Sequence, residues 1–479
     1  MPSMIRLMRV AADFRRNKRG NVAVIFAIAL LPLLTAIGCA VDYSTATRVR
    51  AKLQAAADAA SVAALAAKSP GFLAATAMTG NGSVAAGVTD ALNVFNGNMS
   101  GETGYTNLTS SATVTKTGSD LAAKVVFSAQ VPVTFLKVIG FQTLTVGGSS
   151  SSASSLPLYL DFYLMLDVSG SMGLPSTNAE QTRLAAINPD NFTLYPNGCT
   201  FACHFTRQGA CDDSTQKYST NNYCTGYALS RTAGHSNNTP VTACSTDGTS
   251  ACIQLRADAV GYAVQQLLLT ANSTAKVANQ FRIGLYPFIQ NLYAYFPLTS
   301  SISGSSTNSS TINYAAANLA TLLDTGANST LGSGGTHFEN AFPTMNGLIT
   351  SVGTGGSWNN TLPYVFLVTD GAQNNQTQWN GDWSGNNNAT VIDTSPCTTI
   401  KNRGVIIAVL YIPYQPIQNP TSFANNEDFA VNAIIPNIPP TLKACASPNF
   451  FFTANTPADI TAALNAMFNQ ALVTAHITK

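Results

Sequence analysis

The stretch Leu156–Gly173, LPLYLDFYLMLDVSGSMG, is the main indication of the fold of the larger part of this chain. It is mostly apolar up to Leu166 and then ends on Asp167, Ser169 and Ser171, a carboxylate and two hydroxyls spaced two residues apart. Burying such polar groups at the end of a strand is unfavourable unless they are hydrogen-bonded or hold a ligand. The stretch therefore predicts a buried strand that ends in a binding site.

Apolar runs alternate with amphipathic segments through the rest of the chain. The predicted strands are 157–166, 281–290, 362–369 and 404–412, and the predicted helices are 253–270, 311–324, 337–351, 394–402 and 456–472. This alternation favours an α/β fold with a doubly wound, mostly parallel sheet that helices cover on both faces. We assign this domain to residues 156–479. Residues 174–252 are polar and Cys-rich, break the alternation, and are interpreted as an insertion.

Two further oxygen-bearing residues are predicted to lie at the same edge of the sheet. Thr336 follows the Gly run of GSGGTHFENAF and opens a helix, and Asp370 ends the strand YVFLVTDGAQ. Ligands of open α/β sheets bind at the carboxyl ends of the strands. Two carboxylates and three hydroxyls suit a hard divalent cation, so the sequence predicts a site for Mg²⁺, or for Mn²⁺ or Ca²⁺. The alternative is that the hydroxyls only cap a helix N-terminus.

This constellation resembles the metal-ion-dependent adhesion site of von Willebrand factor type A domains. That family carries D-x-S-x-S, then a distant Thr, then a distant Asp after a strand, which match Asp167, Ser169, Ser171, Thr336 and Asp370. The resemblance implies that the two Ser bind the metal directly, that Thr336 binds directly or through water, and that the two Asp act largely through water. It also implies that a carboxylate of a partner protein completes the metal's shell.

The N-terminus carries an apolar run, NVAVIFAIALLPLLTAIGCAV, over residues 21–41. It has no charge and is long enough to cross a membrane as a helix. Residues 1–20 hold six basic residues and one acidic residue, and Asp42 follows the run. This charge bias predicts that the N-terminus is cytoplasmic and that the chain after the span lies outside the cytoplasm. The alternatives are a cleaved secretory signal and a lipoprotein signal cut before Cys39, but the run is longer than a signal peptide's apolar region.

Residues 42–155 are predicted to form a helix followed by a small α+β region. Residues 43–68 are dominated by Ala, the strongest helix former, so the anchor helix should continue outward and pack on something. Further on, residues alternate between apolar and polar and are rich in β-branched side chains, which predicts strands. The Ser run 149–155 is either a linker or an edge strand.

The N-terminal segment resembles the TadE/TadG-like segment of tight-adherence (Flp) pilus-assembly proteins. The resemblance rests on the basic patch RRNKRG, the apolar span, the following Asp-Tyr and the motif LQAAADAA. It implies an inner-membrane protein, with its bulk in the periplasm, whose partners are other pilus-assembly or pilin proteins. Pseudopilins of that system carry Glu at the fifth position after the processing Gly. Here Ile25 holds that position after Gly20, which favours an anchor that is retained.

Eight cysteines follow the anchor, and an even number in an exported region favours disulfides. They are Cys199, Cys203, Cys211, Cys224, Cys244, Cys252, Cys397 and Cys445. Short separations favour pairs such as Cys199 with Cys203 or Cys211. Cys397 and Cys445 flank the predicted strand 404–412 and are placed to bridge each other. A haem or zinc site at CTFACH fits the spacing and the compartment less well.

Composition and motifs narrow the function classes. Only 10% of residues are charged and 46% are apolar, a profile of neither a disordered protein nor a nucleic-acid binder. Nucleotide-binding loops, G-x-S-x-G and H-E-x-x-H are absent from the sequence. The leading hypothesis is a non-enzymatic envelope protein that assembles or anchors a Flp-type pilus through a metal-dependent adhesion site. The alternatives are a surface adhesin for host or matrix ligands, placed at the outer membrane or cell surface, and a metal-dependent hydrolase whose base would be His337.

Overall fold

The protein is described by a computed structural model in which residues 21–187, 252–324, 330–375, 377–379, 382–384, 389–414, 416 and 427–477 are placed, with 217, 218, 223, 224, 244 and 248. The chain divides into two compact units, Met1–Leu156 and Pro157–Lys479. The basic segment 1–20 and most of the predicted insertion lie outside the described residues.

Over its described residues, from Asn21 onward, the first unit combines three helices with one antiparallel sheet. Its elements in chain order are α1 (Asn21–Ala63), α2 (Pro70–Ala77), β1 (Gly82–Ser83), α3 (Ala85–Met99), β2 (Thr106–Thr117), β3 (Asp120–Pro132) and β4 (Thr143–Ser155). A 3₁₀ turn, Leu136–Ile139, lies between β3 and β4. The strands are ordered β1-β2-β3-β4, so the Ser run 149–155 belongs to an edge strand rather than a linker.

Helix α1 changes character along its length. In its first half the large apolar side chains, such as Phe26, Leu33 and Ile37, are exposed, and its Val24–Ala63 portion is long and apolar enough to cross a membrane. In its second half the buried residues recur every three or four positions, at Ala46, Val49, Leu53, Ala57 and Ala60. That spacing gives a helix one apolar face. The outer half of the anchor helix therefore packs on its own unit, as the sequence predicts.

The sheet of the first unit buries one face. Along β3 the residues alternate between buried and exposed, with Leu121, Val125 and Phe127 turned inward. Phe95 of α3 stacks on Phe127 with 6.2 Å between ring centroids. This period-2 pattern is that of a sheet with one face on a core and one in solvent.

The second unit is an alternation of strands and helices. Its elements are β5 (Leu160–Asp167), α4 (Asn178–Ile187), β6 (Lys217–Tyr218), β7 (Tyr223–Cys224), α5 (Arg256–Thr274), β8 (Phe281–Phe288), β9 (Phe296–Thr299), α6 (Ile312–Ala317), α7 (Phe338–Leu348), β10 (Leu362–Thr369), β11 (Ala372–Gln373), β12 (Thr377–Trp379), β13 (Asp382–Ser384), β14 (Thr390–Val391), α8 (Ser395–Asn402), β15 (Ile406–Tyr411), α9 (Glu427–Ile434), α10 (Ile438–Cys445), β16 (Phe451–Thr453) and α11 (Pro457–Ile477).

The main sheet has the strand order β16-β15-β10-β5-β8-β9. All neighbouring pairs are parallel except β8 with β9. The predicted α/β fold with a mostly parallel, doubly wound sheet is confirmed. The short edge strands β9 and β16 were not predicted, because runs of three or four part-buried residues leave little periodic signal.

Two apolar layers cover the two faces of this sheet. On one face Phe162 and Leu164 of β5 join a cluster with α5 and α11. On the other face Tyr163 and Met165 of the same strand join a cluster with α7, α8 and α10. Every residue of β5 is buried, as expected of a mostly apolar strand in a sheet that is covered on both faces.

The ends of the predicted insertion lie side by side. Pro175 and Leu255 form an antiparallel bridge, and the N–H of Ser176 donates to the carbonyl of Gln254 at 2.9 Å. The chain thus leaves and re-enters the sheet at one place, between β5 and α5.

Two disulfides are present among the described residues. One joins Cys244 to Cys252 at the end of the insertion, and the other joins Cys397 of α8 to Cys445 of α10. The anticipated pairs of Cys199 with Cys203 or Cys211 lie outside the described residues, and of Cys224 only its place in β7 is described.

Candidate metal site

The sheet brings the ends of β5 and β10 together. These two strands are neighbours, and they lie where the strand order reverses, so their carboxyl ends border the crevice in which ligands of such sheets bind. Asp167 is the last residue of β5 and Asp370 directly follows β10. The two predicted acids therefore lie at one switch point, although they are distant in sequence.

The carboxylate of Asp167 is held from both sides. One of its oxygens, Oδ1, accepts a hydrogen bond of 3.0 Å from the N–H of Ser169, and Oδ2 accepts one of 2.6 Å from the hydroxyl of Thr369. Thr369 ends the neighbouring strand β10. Burial raises the pKa of Asp167, and these hydrogen bonds act in the opposite direction.

Ser169 and Ser171 lie in the turn that follows β5. A 3₁₀ turn over Gly170–Gly173 bends the chain directly after Ser169, and the two hydroxyl oxygens lie 3.3 Å apart. Ser169 is buried and Ser171 is half-buried. The Ser169 side chain makes no hydrogen bond to the turn that it precedes, so Ser169 does not cap that turn.

Asp370 is fully buried and only partly satisfied. Its Oδ2 faces Nη1 of Arg256 at 3.5 Å, whereas its Oδ1 accepts no hydrogen bond from any residue that the structure describes. Burial and the negative charge of Asp167 raise the pKa of Asp370 to about 7, and Arg256 and the Ser171 hydroxyl oppose that rise. Two buried carboxylates against one guanidinium leave an excess of negative charge that a cation would offset.

Thr336 is carried by a segment that reaches the loops after two strands. Its carbonyl accepts a hydrogen bond of 3.1 Å from the N–H of Asn374, which follows β10. The next residue, His337, donates its N–H to the carbonyl of Ile289, which follows β8. A Cβ at Gly335 would lie 2.5 Å from the carbonyl oxygen of Asn374, so the Gly run permits this close approach. Thr336 itself is buried.

Two residues that sequence reasoning missed support this site. Asp324 donates its N–H to the carbonyl of Val168 and accepts hydrogen bonds from the Ser333 hydroxyl at 2.6 Å and the Gly334 N–H at 2.9 Å. It thereby ties the turn after β5 to the Gly run before Thr336. The only sequence signal was a lone acid between a helix and that Gly run.

Arg256 is the second missed residue. It opens helix α5, directly after the insertion, and its side chain is buried. Its guanidinium faces Asp370 and donates to the carbonyl of Pro413 at 3.0 Å. The sequence around Arg256 does not indicate that its partner is Asp370, which lies far along the chain.

The side chain of His337 pairs with a neighbouring acid. Its Nδ1 lies 2.6 Å from Oε1 of Glu339, and Oε2 of Glu339 accepts a hydrogen bond from Gln373. Within the described part of the chain, no three His, Cys, Asp or Glu side chains come together as a metal cluster. The predicted donor set differs from such clusters because three of its five oxygen donors are hydroxyls.

The residues present fit a hard divalent cation. The unpartnered Oδ1 of Asp370, the second carboxylate at the same switch point and the adjacent Ser hydroxyls are oxygen donors of the kind that Mg²⁺, Mn²⁺ and Ca²⁺ prefer.

The chain is similar at low identity to several solved structures. It is 14% identical to the pilus adhesin SpaC from Lactobacillus rhamnosus GG, covering 78% of this chain and 35% of that one, with a TM-score of 0.33. The vWF domain of the type V pili tip protein Mfa5 from Porphyromonas gingivalis gives 12% identity, coverage of 67% and 97%, and a TM-score of 0.31.

A third similar structure is proximal thread matrix protein 1 from the mussel byssus, with a zinc-occupied MIDAS motif. It gives 15% identity, coverage of 45% of this chain and 43% of that one, and a TM-score of 0.28. This chain thus spans about a third of the length of SpaC and less than half of the length of the thread matrix protein. These TM-scores are too low to equate whole chains, so the fold assignment rests on the observed strand order.

No curated protein matches the chain. The family described as "Putative Flp pilus-assembly TadE/G-like" matches residues 20–69, which comprise the basic-to-apolar junction, the apolar span and the Ala-rich half of α1. Residues 20–69 of this chain are thus similar to the TadE/G-like segment of Flp pilus-assembly proteins.

Proposed function

We propose that this protein is a non-enzymatic envelope component that assembles or anchors a Flp-type pilus. In this proposal the first half of α1 spans the bacterial inner membrane, the N-terminus is cytoplasmic, and the chain from Asp42 onward lies in the periplasm. The second unit binds Mg²⁺, or Mn²⁺ or Ca²⁺, through Asp167, Ser169, Ser171, Thr336 and Asp370. The partners are other pilus-assembly or pilin proteins.

The pilus role is supported by the similarity of residues 20–69 to TadE/G-like proteins, and the observation that carries the metal assignment is that Asp370 Oδ1 has no partner among the described residues. A fully buried carboxylate with an unpartnered oxygen is costly in a stable core. Its position at the switch point, beside a second buried acid and two hydroxyls, supports a role in binding rather than in packing.

The chain's own residues prepare this site for a ligand. Thr369 and the Ser169 N–H orient the Asp167 carboxylate, and Asp324 holds the Thr336 segment against the turn after β5. A bound divalent cation would supply positive charge to which a carboxylate of a partner protein can add. Arg256 balances part of the negative charge.

Divalent-ion binding by the full chain in detergent tests the metal assignment. Calorimetry with Mg²⁺ and Mn²⁺ is expected to show binding by the wild type and none by Asp167→Ala or Asp370→Ala. Asp120→Ala, which removes an exposed acid from the first unit, is the matched control and should bind normally. Unchanged affinity in both site variants would refute the assignment.

The topology has its own test. Sequencing of the N-terminus of protein taken from the inner membrane should show an intact basic segment. Mature protein that begins at Asn21 or at Cys39 would contradict a retained anchor. Recovery of the protein in the outer membrane would favour the surface-adhesin alternative instead.

A further inference from the structure

The connection between β3 and β4, residues 133–142, presents an unusual surface. Four of its apolar side chains are exposed: Phe135 by 46%, Val138 by 72%, Ile139 by 52% and Phe141 by 55%. Lys137 is the only charged residue among them. Connections between antiparallel strands are normally polar, and a contiguous exposed apolar patch marks an interaction surface. We call residues Phe135–Phe141 the apolar loop.

The apolar loop is fastened to helix α1 where the uncharged span ends. The buried carboxylate of Asp42 accepts hydrogen bonds from the N–H groups of Thr134, Phe135 and Leu136, at 2.9, 2.9 and 2.8 Å. These are the free N–H groups at the start of the 3₁₀ turn Leu136–Ile139. One residue thus ends the apolar span and fixes the loop.

A second contact lies inside the span itself. Gly38 is buried, and a Cβ at that position would overlap the Cβ and Cγ of Phe135. Gly38 precedes Asp42 by one helical turn, about 6 Å along the axis. Phe135 therefore reaches the level of residues that the sequence assigns to the membrane.

We infer that the apolar loop inserts into the lipid leaflet at the C-terminal end of the span. The inference rests on the membrane anchoring in the proposed function. Lipid is the partner that we expect to cover the apolar loop, because the loop continues the apolar surface of α1, on which Leu33, Leu34 and Ile37 are also exposed. Lys137 suits the same place, since a long cationic side chain extends its charge to the headgroups while its stem stays in the apolar layer.

Insertion would give α1 a second point of attachment to the bilayer. Two points fix the tilt of the helix and the height of the first unit above the membrane. A single helix alone would leave its tilt to lipid thickness.

Photo-crosslinking in native membranes tests this inference with the full chain. A benzophenone amino acid at Val138 or at Phe141 is expected to form phospholipid adducts that mass spectrometry detects. The same probe at Thr117, an exposed residue at the opposite end of the sheet, should form none. That end is about 40 Å away along β3, given the usual rise per strand residue.

A probe at Leu33, in the middle of the span, distinguishes failure of the loop inference from failure of the membrane anchor. Adducts at Leu33 without adducts at Val138 and Phe141 would overturn the loop inference and leave the anchor intact. Protein adducts in place of lipid adducts at Val138 would also overturn it, because they would show that a neighbouring protein covers the loop. A lack of lipid adducts at all four positions would refute the anchor and the loop inference together.

Discussion

Nη1 of Arg256 lies 3.5 Å from Oδ2 of Asp370, although 114 residues separate them in the chain. Arg256 is the first residue of the helix that follows the insertion, and Asp370 is the acid that follows strand β10. A residue that closely follows the predicted insertion therefore contributes to the charge balance of the candidate metal site.

Replacing Arg256 by Met should make the protein depend on divalent ions. The variant keeps the apolar stem and removes the charge, which leaves two buried carboxylates without a cation. We expect the free energy of unfolding without metal to fall by about 3–5 kcal/mol at pH 8. Saturating Mg²⁺ at about 100 times Kd should restore roughly 2.7 kcal/mol, as measured by urea unfolding.

Arg282→Met is the matched control for that variant. Arg282 pairs with Asp161, near the start of β5 and about 20 Å along the strand from Asp167. This control should also lose stability, but Mg²⁺ should restore none of it beyond what the ion adds to the wild type. Equal rescue of both variants would contradict a local role for Arg256.

The free energy of unfolding without metal should fall as the pH rises through the range in which Asp370 titrates. Its pKa is about 7 in the folded protein against 3.8 for the free side chain, so the folded state keeps a proton that the unfolded state releases. That difference lowers stability progressively between pH 4 and about pH 7, by a few kcal/mol, and the loss levels off above that range.

The contribution of Asp370 is the difference in the free energy of unfolding between the wild type and Asp370→Asn, since the other carboxylates titrate in both proteins. The measurement is denaturant unfolding with a chelator present, repeated from pH 4 to pH 8. A difference that stays constant or grows in favour of the wild type with rising pH would contradict the prediction. Saturating Mg²⁺ should flatten the wild-type curve, because the cation stabilises the charged form.

Asp324→Asn should weaken metal binding more than it weakens the fold. The amide keeps the shape but accepts only one of the two hydrogen bonds from Ser333 and Gly334, so the Thr336 segment loses its fixed position. We expect Mg²⁺ affinity to fall by roughly 10–100-fold, as for other residues that orient metal ligands. Ser333→Ala, which removes one of these hydrogen bonds, should give a smaller loss by calorimetry. Unchanged affinity in a destabilised Asp324→Asn protein would assign it a purely structural role.

Removing the insertion should leave metal binding intact and change partner choice. Ser176 and Gln254 are hydrogen-bonded neighbours, so an Asn-Gly turn can replace residues 177–253 and join them. The measurement is Mg²⁺ calorimetry, followed by capture of envelope proteins with and without Mg²⁺. Loss of metal binding in a folded deletion variant would show that the insertion contributes to the site. Identical captured proteins would show that it does not select partners.

Features that depend on residues close together in the chain could be predicted from the sequence. A mostly apolar run bounded by turn signals implies a strand buried on both faces, and β5 is such a strand. The two-residue spacing of Asp167, Ser169 and Ser171 is local and brings them into one turn whatever the remaining chain does. The Ala-rich half of α1 likewise predicts a helix that packs, because propensity and spacing are properties of the segment itself.

Which distant groups meet depends on the tertiary structure. Thr369 holds Asp167 across 202 residues, and Asp42 caps a turn more than 90 residues away. Arg256 and Asp324 carried no local pattern, since a single charged residue is ordinary in any sequence. These pairings depend on strand order and on where each connection returns to the sheet. Many chain paths suit the same apolar pattern, and long-range packing selects the one that brings these residues together.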